Sequence, residues 1–493
     1  MSCPAGYTFD YAQRPKRLHE AEIPLERQRY LGRQIAWTKN HVSASRLDDL
    51  RYIGDDLGDE AYIALKLKPG EDALQKLLEY TSRPESEQES SAPRRLLQQC
   101  MEVPEWVDWE KMKRGQEVVM RYFLYMAHIM VHFSLTYSFT APKTSKVLVS
   151  TGYLSGAKTR IRVFETAIFV LESITSLENL QPGTGCAWKS YIQVRFLHSA
   201  VRTRLVRMSK AHSKFYNVEE CGVPINQEDY LATLMSLSVS IWQVMETRMG
   251  VHMNQEEKSD LLHLWRYIGH YVGVEDVLNA TADPVVADAV SESIAMHLLE
   301  PNPEGGKVVD SLFKNMSTTF IGPRTVSKSY RPSRYRMHMA LAEQLLGSEV
   351  WDLCELPRIT PLYKFVRLSV SYYMRLDLWM ARKSDWYFRT RSALVHYKVI
   401  QRISGRLGHS PDNYRLKELP VDGGNYTVAS HRGFFASLLP SSITSTPVVT
   451  SIVTSVGNLQ FKQSTSSSKI MSMFLTTVAS AAVCVGIAMA KRS

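Results

Sequence analysis

The sequence predicts an all-α protein, built from one large helical domain followed by a transmembrane tail anchor. Apolar residues recur at steps of three and four over most of the first 410 positions, which is the spacing of amphipathic helices. No region is dominated by the alternation typical of strands. Near the carboxyl end, 21 uncharged residues from Ile470 to Ala490 form a run long enough to span a bilayer.

Composition divides the chain into four segments. Residues 1–22 are polar and are predicted to be flexible, whereas residues 23–410 form the predicted helical domain. Residues 411–468 are rich in Ser and Thr and lose helical spacing, which is typical of a flexible tether. Residues 470–490 form the predicted transmembrane helix.

The position of the uncharged run predicts a single-pass anchor at the carboxyl end. The helical domain would then face the cytosol, and the endoplasmic reticulum is the expected membrane. In that topology the N-x-[ST] sequons at Asn279, Asn315 and Asn425 would stay unglycosylated. Because the run is rich in Ala, Ser and Thr, an interfacial or buried helix is the alternative.

The overall composition is that of a folded protein with an anionic partner. Of 493 residues, 44% are hydrophobic and 22% are charged, which excludes general disorder. The net charge of +10 favours a phosphate, a carboxylate-bearing cofactor or an anionic membrane surface as partner. The six cysteines contain no CxxC pair, so neither a disulfide framework nor a zinc finger is expected.

Two consecutive helices between Gly152 and His212 are predicted to form the functional pocket. Both are apolar, yet they carry polar residues at steps of three and four, namely Arg162, Glu165 and Thr166 on the first and Arg195, His198 and Arg202 on the second. From Thr140 to His212 there are eleven Lys and Arg residues against three Glu. This local excess of positive charge requires an explanation.

A carboxylate-bearing cofactor explains the excess better than nucleic acid does. The arginines alternate with apolar residues as on a buried helix, and no nucleic-acid module is present, so nucleic acid is not an expected partner. Haem b has two propionates and an iron that takes a neutral imidazole. His198 would bind the iron, while Arg195 and Arg202 would hold the propionates or carboxylates around the ligand.

The first helix would form the side of this pocket where dioxygen binds. Arg162, Glu165 and Thr166 offer a cation, a proton acceptor and a hydroxyl group. The structural alternative is an ion pair between Arg162 and Glu165 along the helix, with His198 as an ordinary core residue.

Two other stretches resemble metal sites less well. Asp55, Asp56 and Asp59 lie close together, but they lack the ligand spacing of an EF-hand, so we interpret them as helix-capping and turn residues. His128 and His132 have the i, i+4 spacing of helical metal ligands. No acidic residue between positions 117 and 165 completes such a site, which favours core histidines.

The central motifs resemble a known enzyme family. RxxxT begins at Arg162 and is followed about thirty residues later by RxxHxxxR, which contains His198. This order resembles the core of the latex-clearing rubber oxygenases, a family that includes the fungal membrane-bound oxygenase of the mycophenolic acid pathway. The resemblance covers about residues 50–350 and includes the stretches VPEWVDWEKMKRGQE, CGVPINQED and LWRYIGHYVGV.

The resemblance implies a globin-like helical core with b-type haem, and cleavage of a carbon–carbon double bond with dioxygen. His198 falls at the position of the iron ligand, and Arg162 and Thr166 at the positions of dioxygen-side residues. Rubber-cleaving members have a lysine where this chain has Glu165. They also use an upstream glutamate as base, whereas no acidic residue lies between Glu117 and Glu165 here. Either Glu165 takes over as the base, or this branch of the family catalyses different chemistry.

The expected function is therefore that of a membrane-anchored haem oxygenase. Its substrate would be a lipophilic prenylated or terpenoid molecule, cleaved in fungal-type secondary metabolism. The alternatives are a membrane-tethered helical scaffold without catalysis, and a non-haem metal oxygenase that uses His128 and His132.

Overall fold

The computed structural model describes residues 29–395, with gaps at 69, 152–156, 212–215, 277–282 and 319–330. It also describes two short strands near the amino terminus. Contacts divide the chain into one unit that ends at Val421 and a second that begins at Asp422, and all described residues belong to the first. The predicted flexible segment 1–22, apart from those strands, the tether and the transmembrane helix lie outside the described residues.

Helices form nearly all of the regular structure among the described residues, which confirms the all-α prediction. The first half contains α1 (Ala44–Leu50), α2 (Asp56–Leu65), α3 (Ala73–Thr81), α4 (Ala92–Met101), α5 (Trp109–Arg121), α6 (Phe123–Ile129), α7 (Leu135–Ser138), α8 (Pro142–Ser150), α9 (Ala157–Thr175) and α10 (Cys186–Ala211). The second half contains α11 (Val218–Cys221), α12 (Gln227–Leu237), α13 (Val239–Val244), α14 (Gln255–Val272), α15 (Pro284–Leu298), α16 (Pro303–Ser317), α17 (Arg331–Leu346), α18 (Ser348–Leu353), α19 (Pro361–Lys383) and α20 (Asp385–Val395).

Strands are confined to two hairpins of two-residue strands in the described part of the chain. β1 (Ser2–Cys3) pairs antiparallel with β2 (Tyr7–Thr8). β3 (Arg29–Tyr30) pairs in the same way with β4 (Arg33–Gln34). Strands this short contribute little to the core, which is therefore made by helix packing.

Polar side chains at helix starts satisfy backbone N–H groups that have no partner within the helix. Asp55 caps α2 by accepting from the N–H of Gly58, as the capping interpretation predicts. Asn226 caps α12 through the N–H of Asp229. Asn254 forms a capping box with Glu257 at the start of α14. These caps fix the starts of three helices that surround the candidate site.

Helix α10 runs through the centre of the fold. It packs against α2, α3, α9 and α14, and its residues Trp188, Tyr191 and Phe196 are fully buried. The indole Nε1 of Trp188 donates to the carbonyl oxygen of Cys100 at 2.6 Å, which ties α10 to the end of α4. Side chains on several sides of α10 are therefore packed against neighbouring helices.

Among the described residues, no single helix is long and apolar enough to cross a bilayer. The pair Trp109–Arg121 and Phe123–Ser138 passes that test jointly, but its two parts are bent by 78°. The second part contains a π-helical turn, Met130–Ser134, between α6 and α7. This second part contains His128 and His132, which are described with the candidate site.

Helices α5 and α14 pack closely because Gly115 has no side chain. A Cβ atom at position 115 would lie 2.5 Å from the carbonyl oxygen of Asp260 in α14. Contacts that short do not occur without movement of one helix. The ion pair from Arg114 to Asp260, at 2.8 Å, holds the same two turns together.

We expect Gly115→Ala to lower the free energy of unfolding by about 1–3 kcal/mol, because the methyl group separates α5 from α14. Helix propensity alone predicts the opposite sign, a gain of roughly 0.5–1 kcal/mol. Urea unfolding followed by circular dichroism measures the change. Glu117→Ala, an exposed position on the same helix, is the control. A stabilised Gly115→Ala variant would contradict the close packing.

Candidate functional site

The helices α9 and α10 are in contact where α9 ends and α10 begins. The hydroxyl of Ser190 donates to Glu172 Oε2 at 2.6 Å. The hydroxyl of Tyr191 donates to Ser173 Oγ at 2.8 Å. Both contacts join the carboxyl-terminal part of α9 to the amino-terminal part of α10. They fix how the two helices meet at this point.

The predicted site residues lie further along both helices. Glu165 lies seven residues before Glu172 on α9, and His198 lies eight residues after Ser190 on α10. At 1.5 Å per residue these are distances of about 11 and 12 Å along the two helices from the Ser190–Glu172 contact. A pocket in which Glu165 faces His198 stays a prediction.

The α9 candidates differ in their surroundings. Glu165 is buried, with 6% of its surface exposed, whereas Thr166 is exposed. Arg162 lies on the same helix, but its side chain is outside the described residues. A carboxyl group such as that of Glu165 can serve as a proton acceptor in the predicted pocket.

His198 is half-buried and is oriented by a tyrosine from another helix. Its Nδ1 lies 3.2 Å from the hydroxyl of Tyr230 on α12. The same hydroxyl accepts from Arg202 Nη2 at 3.2 Å. A hydroxyl oxygen can accept two hydrogen bonds, so Tyr230 can accept from Arg202 and from a protonated Nδ1 together. In that tautomer Nε2 carries the lone pair, and neutral imidazole is the form that binds a metal.

The donor set therefore fits a haem iron ligand. Histidines that bind metals usually donate their other ring N–H to a nearby oxygen, which fixes the tautomer and the ring orientation. Tyr230 supplies that oxygen for His198. Sequence reasoning missed Tyr230, because nothing in the sequence of α12 shows which of its faces meets α10.

Arg195 is held by a buried carboxylate of the protein itself. Its Nε and Nη2 donate to Asp55 at 2.6 and 2.8 Å, and its Nη1 donates to Gln99 Oε1 at 3.0 Å. Burial alone would raise the pKa of Asp55, but the Arg195 guanidinium outweighs burial and lowers it. Asp55 is thus charged, and it both caps α2 and holds α10.

Arg202 has an equivalent partner one turn further along α2. Its Nη1 donates to Asp59 Oδ1, and its Nη2 donates to the carbonyl oxygen of Ile225 at 2.9 Å. We refer to Arg195–Asp55 and Arg202–Asp59 as the α2–α10 ion pairs. Two roles were expected for these arginines, namely to hold the haem propionates or to hold carboxylates around the iron ligand. The structure shows contacts of the second kind, with the carboxylates supplied by Asp55 and Asp59. Binding of propionates by either arginine stays a prediction.

Glu172 is a half-buried carboxyl group on α9 that the sequence did not distinguish. Burial raises its pKa to about 7, against the opposing effect of the hydrogen bond from Ser190. It lies at the fixed end of the helix pair, two turns from Glu165. We interpret it as a contact that sets the register of α9 on α10.

His128 and His132 belong to a separate buried group that also includes His338 of α17. His132 Nδ1 lies 3.0 Å from both His128 Nδ1 and the carbonyl oxygen of His128, and His132 Nε2 lies 2.9 Å from His338 Nδ1. The three rings, which we call the histidine chain, are linked in a row and do not converge on one point. Among the residues that the structure describes, no group of three or more ligand side chains is placed to hold a metal ion.

The histidine chain has one consistent set of tautomers. Only an N–H can donate to a carbonyl oxygen, so His132 carries its proton on Nδ1. His132 Nε2 then accepts from the Nδ1–H of His338. Burial lowers the pKa of His132 to about 4 and also lowers the pKa values of His128 and His338, so all three rings are neutral at pH 7.

A cavity of about 70 Å³ lies near the histidine chain, between the π-helical turn, α12 and α15. Its walls are mainly apolar and include Phe133, Tyr137 and Leu298. Sites for drug-sized ligands measure roughly 300–1,000 Å³, so this cavity is too small for a haem macrocycle. It is distinct from the pocket predicted at His198.

The histidine chain should make the protein less stable in acid. Each histidine has a folded-state pKa below the unfolded value of about 6.5, so stability is complete above that pH and falls as the pH decreases towards 4. The fall should reach about 1.4 kcal/mol per pH unit for each histidine. His338→Phe, which keeps the stacking on Phe313, should reduce the slope of unfolding free energy between pH 6 and 5.

The measurement is urea unfolding at several pH values. His252→Gln, at an exposed histidine, should leave the slope unchanged. Equal slopes for the wild type and His338→Phe would show that His338 is not kept neutral in the folded protein.

Comparison with known proteins identifies the family. Residues 125–376 match the family described as "ER-bound oxygenase mpaB/B'/Rubber oxygenase, catalytic domain". The rubber oxygenase of Streptomyces sp. (strain K30) is 26% identical over 323 residues, which cover 64% of this chain and 74% of that protein. The residues that match the family, 125–376, include both α9 and α10.

A solved structure, that of Latex Clearing Protein LCP in the closed state, has the same fold. The TM-score is 0.52 at 21% sequence identity, over 70% of this chain and 91% of that one. The resemblance noted from the RxxxT and RxxHxxxR motifs is thereby confirmed. This chain belongs to the mpaB/B′ and rubber oxygenase family, and it is an oxygenase of the oxidoreductase class.

Proposed function

We propose that this oxygenase depends on haem b and cleaves a carbon–carbon double bond in a prenyl or terpenoid chain with dioxygen. The rubber oxygenase relative is named for a polyisoprenoid substrate, which supports a lipophilic chain as the substrate class. The reaction converts one double bond and one dioxygen molecule into two carbonyl groups, so it needs no other oxidant or reductant. Fungal-type secondary metabolism is the proposed setting.

The observation that carries the proposal is the pairing of His198 with Tyr230. The hydroxyl of Tyr230 at 3.2 Å allows Nδ1 to be the protonated nitrogen, and Nε2 can then bind iron. The α2–α10 ion pairs hold the turns on either side of His198. The histidine chain differs, because His132 and His338 bond to another histidine and not to a hydroxyl group.

The residues of the pocket have separate roles in the proposed mechanism. His198 would hold the haem, which supplies the activation of dioxygen when it is bound. Tyr230 keeps the imidazole of His198 in one orientation. Glu165 would accept a proton from the allylic carbon of the substrate at a carboxylate oxygen and return it to carbon before the two carbonyl products leave. Arg162 and Thr166 would orient dioxygen by hydrogen bonds.

We further propose that the enzyme is anchored to the endoplasmic reticulum and faces the cytosol. Two observations support this location. The family description includes membrane-bound members, and Ile470 to Ala490 is long enough to span a bilayer. A lipophilic substrate that partitions into membranes would be reached directly by an enzyme held there.

The absorption spectrum tests the cofactor. The full chain, expressed with ample haem, should show a Soret band, and His198→Ala should lose it. Tyr230→Phe should keep the band but bind haem about 10–100-fold more weakly, because the imidazole of His198 loses its hydrogen-bond partner. His252→Ala is the control at an exposed histidine.

Circular dichroism must show that His198→Ala is folded for its loss of the band to count. A folded wild type without haem would contradict the proposed cofactor. Loss of the band in His132→Ala alone, with a normal band in His198→Ala, would move the haem to the histidine chain.

Activity tests the proposed base. Glu165→Gln should lower kcat by about 10²-fold or more and leave the Soret band intact, because the amide cannot accept the allylic proton. Glu172→Gln, on the same helix at its fixed end, should keep most of the activity. The measurement is the formation of carbonyl products from a polyisoprenoid oligomer under ¹⁸O₂. Unchanged kcat in Glu165→Gln would exclude Glu165 as the base.

A further inference from the structure

Helix α19 presents a long apolar surface that the oxygenase site does not use. Phe365, Leu368, Tyr372 and Trp379 follow one another at steps of three, four and seven, so they lie along one side of the helix. We call them the apolar stripe. Phe365 is 68% exposed and Tyr372 is 71% exposed. Exposed apolar surface of this extent marks an interaction site in soluble proteins.

The opposite side of α19 is firmly attached to the rest of the protein. Tyr363, Val366, Met374 and Leu378 are buried. Arg375 Nη2 donates to the carbonyl oxygen of Met249 at 2.5 Å. The stripe is therefore a fixed feature of the surface, about 21 Å long from Phe365 to Trp379.

Further contacts extend the attached surface to α20. Asp377 of α19 accepts from the hydroxyl of Tyr387 at 2.7 Å and is paired with Arg391. Trp386 on α20 is more than half exposed, as is Trp379 on α19. Each of the two helices therefore carries an exposed tryptophan.

The charges beside the apolar stripe are mainly positive. Within α19 and α20 two residues are acidic, Asp377 and Asp385, and both are paired with arginines of α20. Glu343 of the neighbouring α17 pairs with Arg367 at 2.6 Å and lies 4.0 Å from Lys364. Seven residues are basic, namely Lys364, Arg367, Arg375, Arg382, Lys383, Arg389 and Arg391. A partner for this surface should therefore be apolar at its centre and anionic at its edge.

We infer that the apolar stripe is a docking surface for an anionic phospholipid bilayer. Helices that lie in a membrane interface combine Trp, Phe and Leu on one side with Lys and Arg beside them, and Tyr and Trp concentrate at the level of the lipid head groups. α19 and α20 have both properties. The inference does not rest on the proposed haem chemistry.

Charge complementarity favours the bilayer over the two other apolar partners. A second copy of the chain would bring the same basic residues together, and like charges repel. The uncharged run Ile470 to Ala490 of the same chain could cover the apolar side chains, but it has no acidic group to neutralise Lys364 or Lys383. Anionic lipid satisfies both the apolar stripe and the basic residues.

Hydroxyl-radical footprinting of the full chain tests the inference at individual side chains. Vesicles of phosphatidylcholine with phosphatidylserine should reduce the oxidation of Phe365, Tyr372 and Trp379 severalfold. Vesicles of phosphatidylcholine alone should reduce it much less. Trp37 and Met101, which are exposed elsewhere, should be oxidised equally with and without vesicles.

A charge-reversal pair provides the matched variants. Lys364→Glu with Lys383→Glu should weaken this protection on the order of tenfold in lipid concentration, because each basic residue near an anionic surface contributes to binding. Lys66→Glu with Lys307→Glu, on other exposed parts of the protein, should not change it.

Three results would overturn the inference. In the first, the chain sediments with vesicles while Phe365 and Tyr372 remain fully oxidised, which would assign membrane binding to another segment. In the second, the stripe is protected without lipid, and a dependence on protein concentration would then identify a second copy. In the third, protection does not depend on phosphatidylserine or on the charge reversal.

Discussion

The placement of His198 depends on the two ion pairs between α2 and α10. Asp55 and Asp59, one turn apart, hold Arg195 and Arg202 on either side of His198. Buried ion pairs add little net stability, because the desolvation of both charges offsets their attraction. Their effect is to fix which face of α10 meets α2. His198 is thereby left on the face that meets Tyr230.

The same pairs account for part of the positive charge that marks the central stretch of the sequence. Read locally, eleven basic residues against three acidic ones suggest an external anion. In the folded protein, Arg195 and Arg202 are neutralised by aspartates about 140 residues earlier in the chain. A cofactor can still contribute carboxylates, but these two arginines do not require it.

Histidines in this protein fall into two chemical situations. His132 bonds at both ring nitrogens to other histidines, and burial keeps it neutral. His198 is half-buried and has a hydroxyl group at Nδ1. Spacing along the sequence could not separate these cases, since both residues lie on apolar helices. The partners that decide between them, His338 and Tyr230, come from distant helices.

The sequence by itself determined the helical class, the cap at Asp55 and the family, because periodicity, capping residues and the RxxxT and RxxHxxxR motifs are local patterns. It also singled out Glu165 and His198 as candidates. Only the tertiary structure decided that Tyr230 lies beside Nδ1 of His198 and that Ser190 contacts Glu172. It also decided the partners of the arginines and the exposure of the apolar stripe. Such contacts depend on which helix faces meet, and a one-dimensional pattern does not encode that choice.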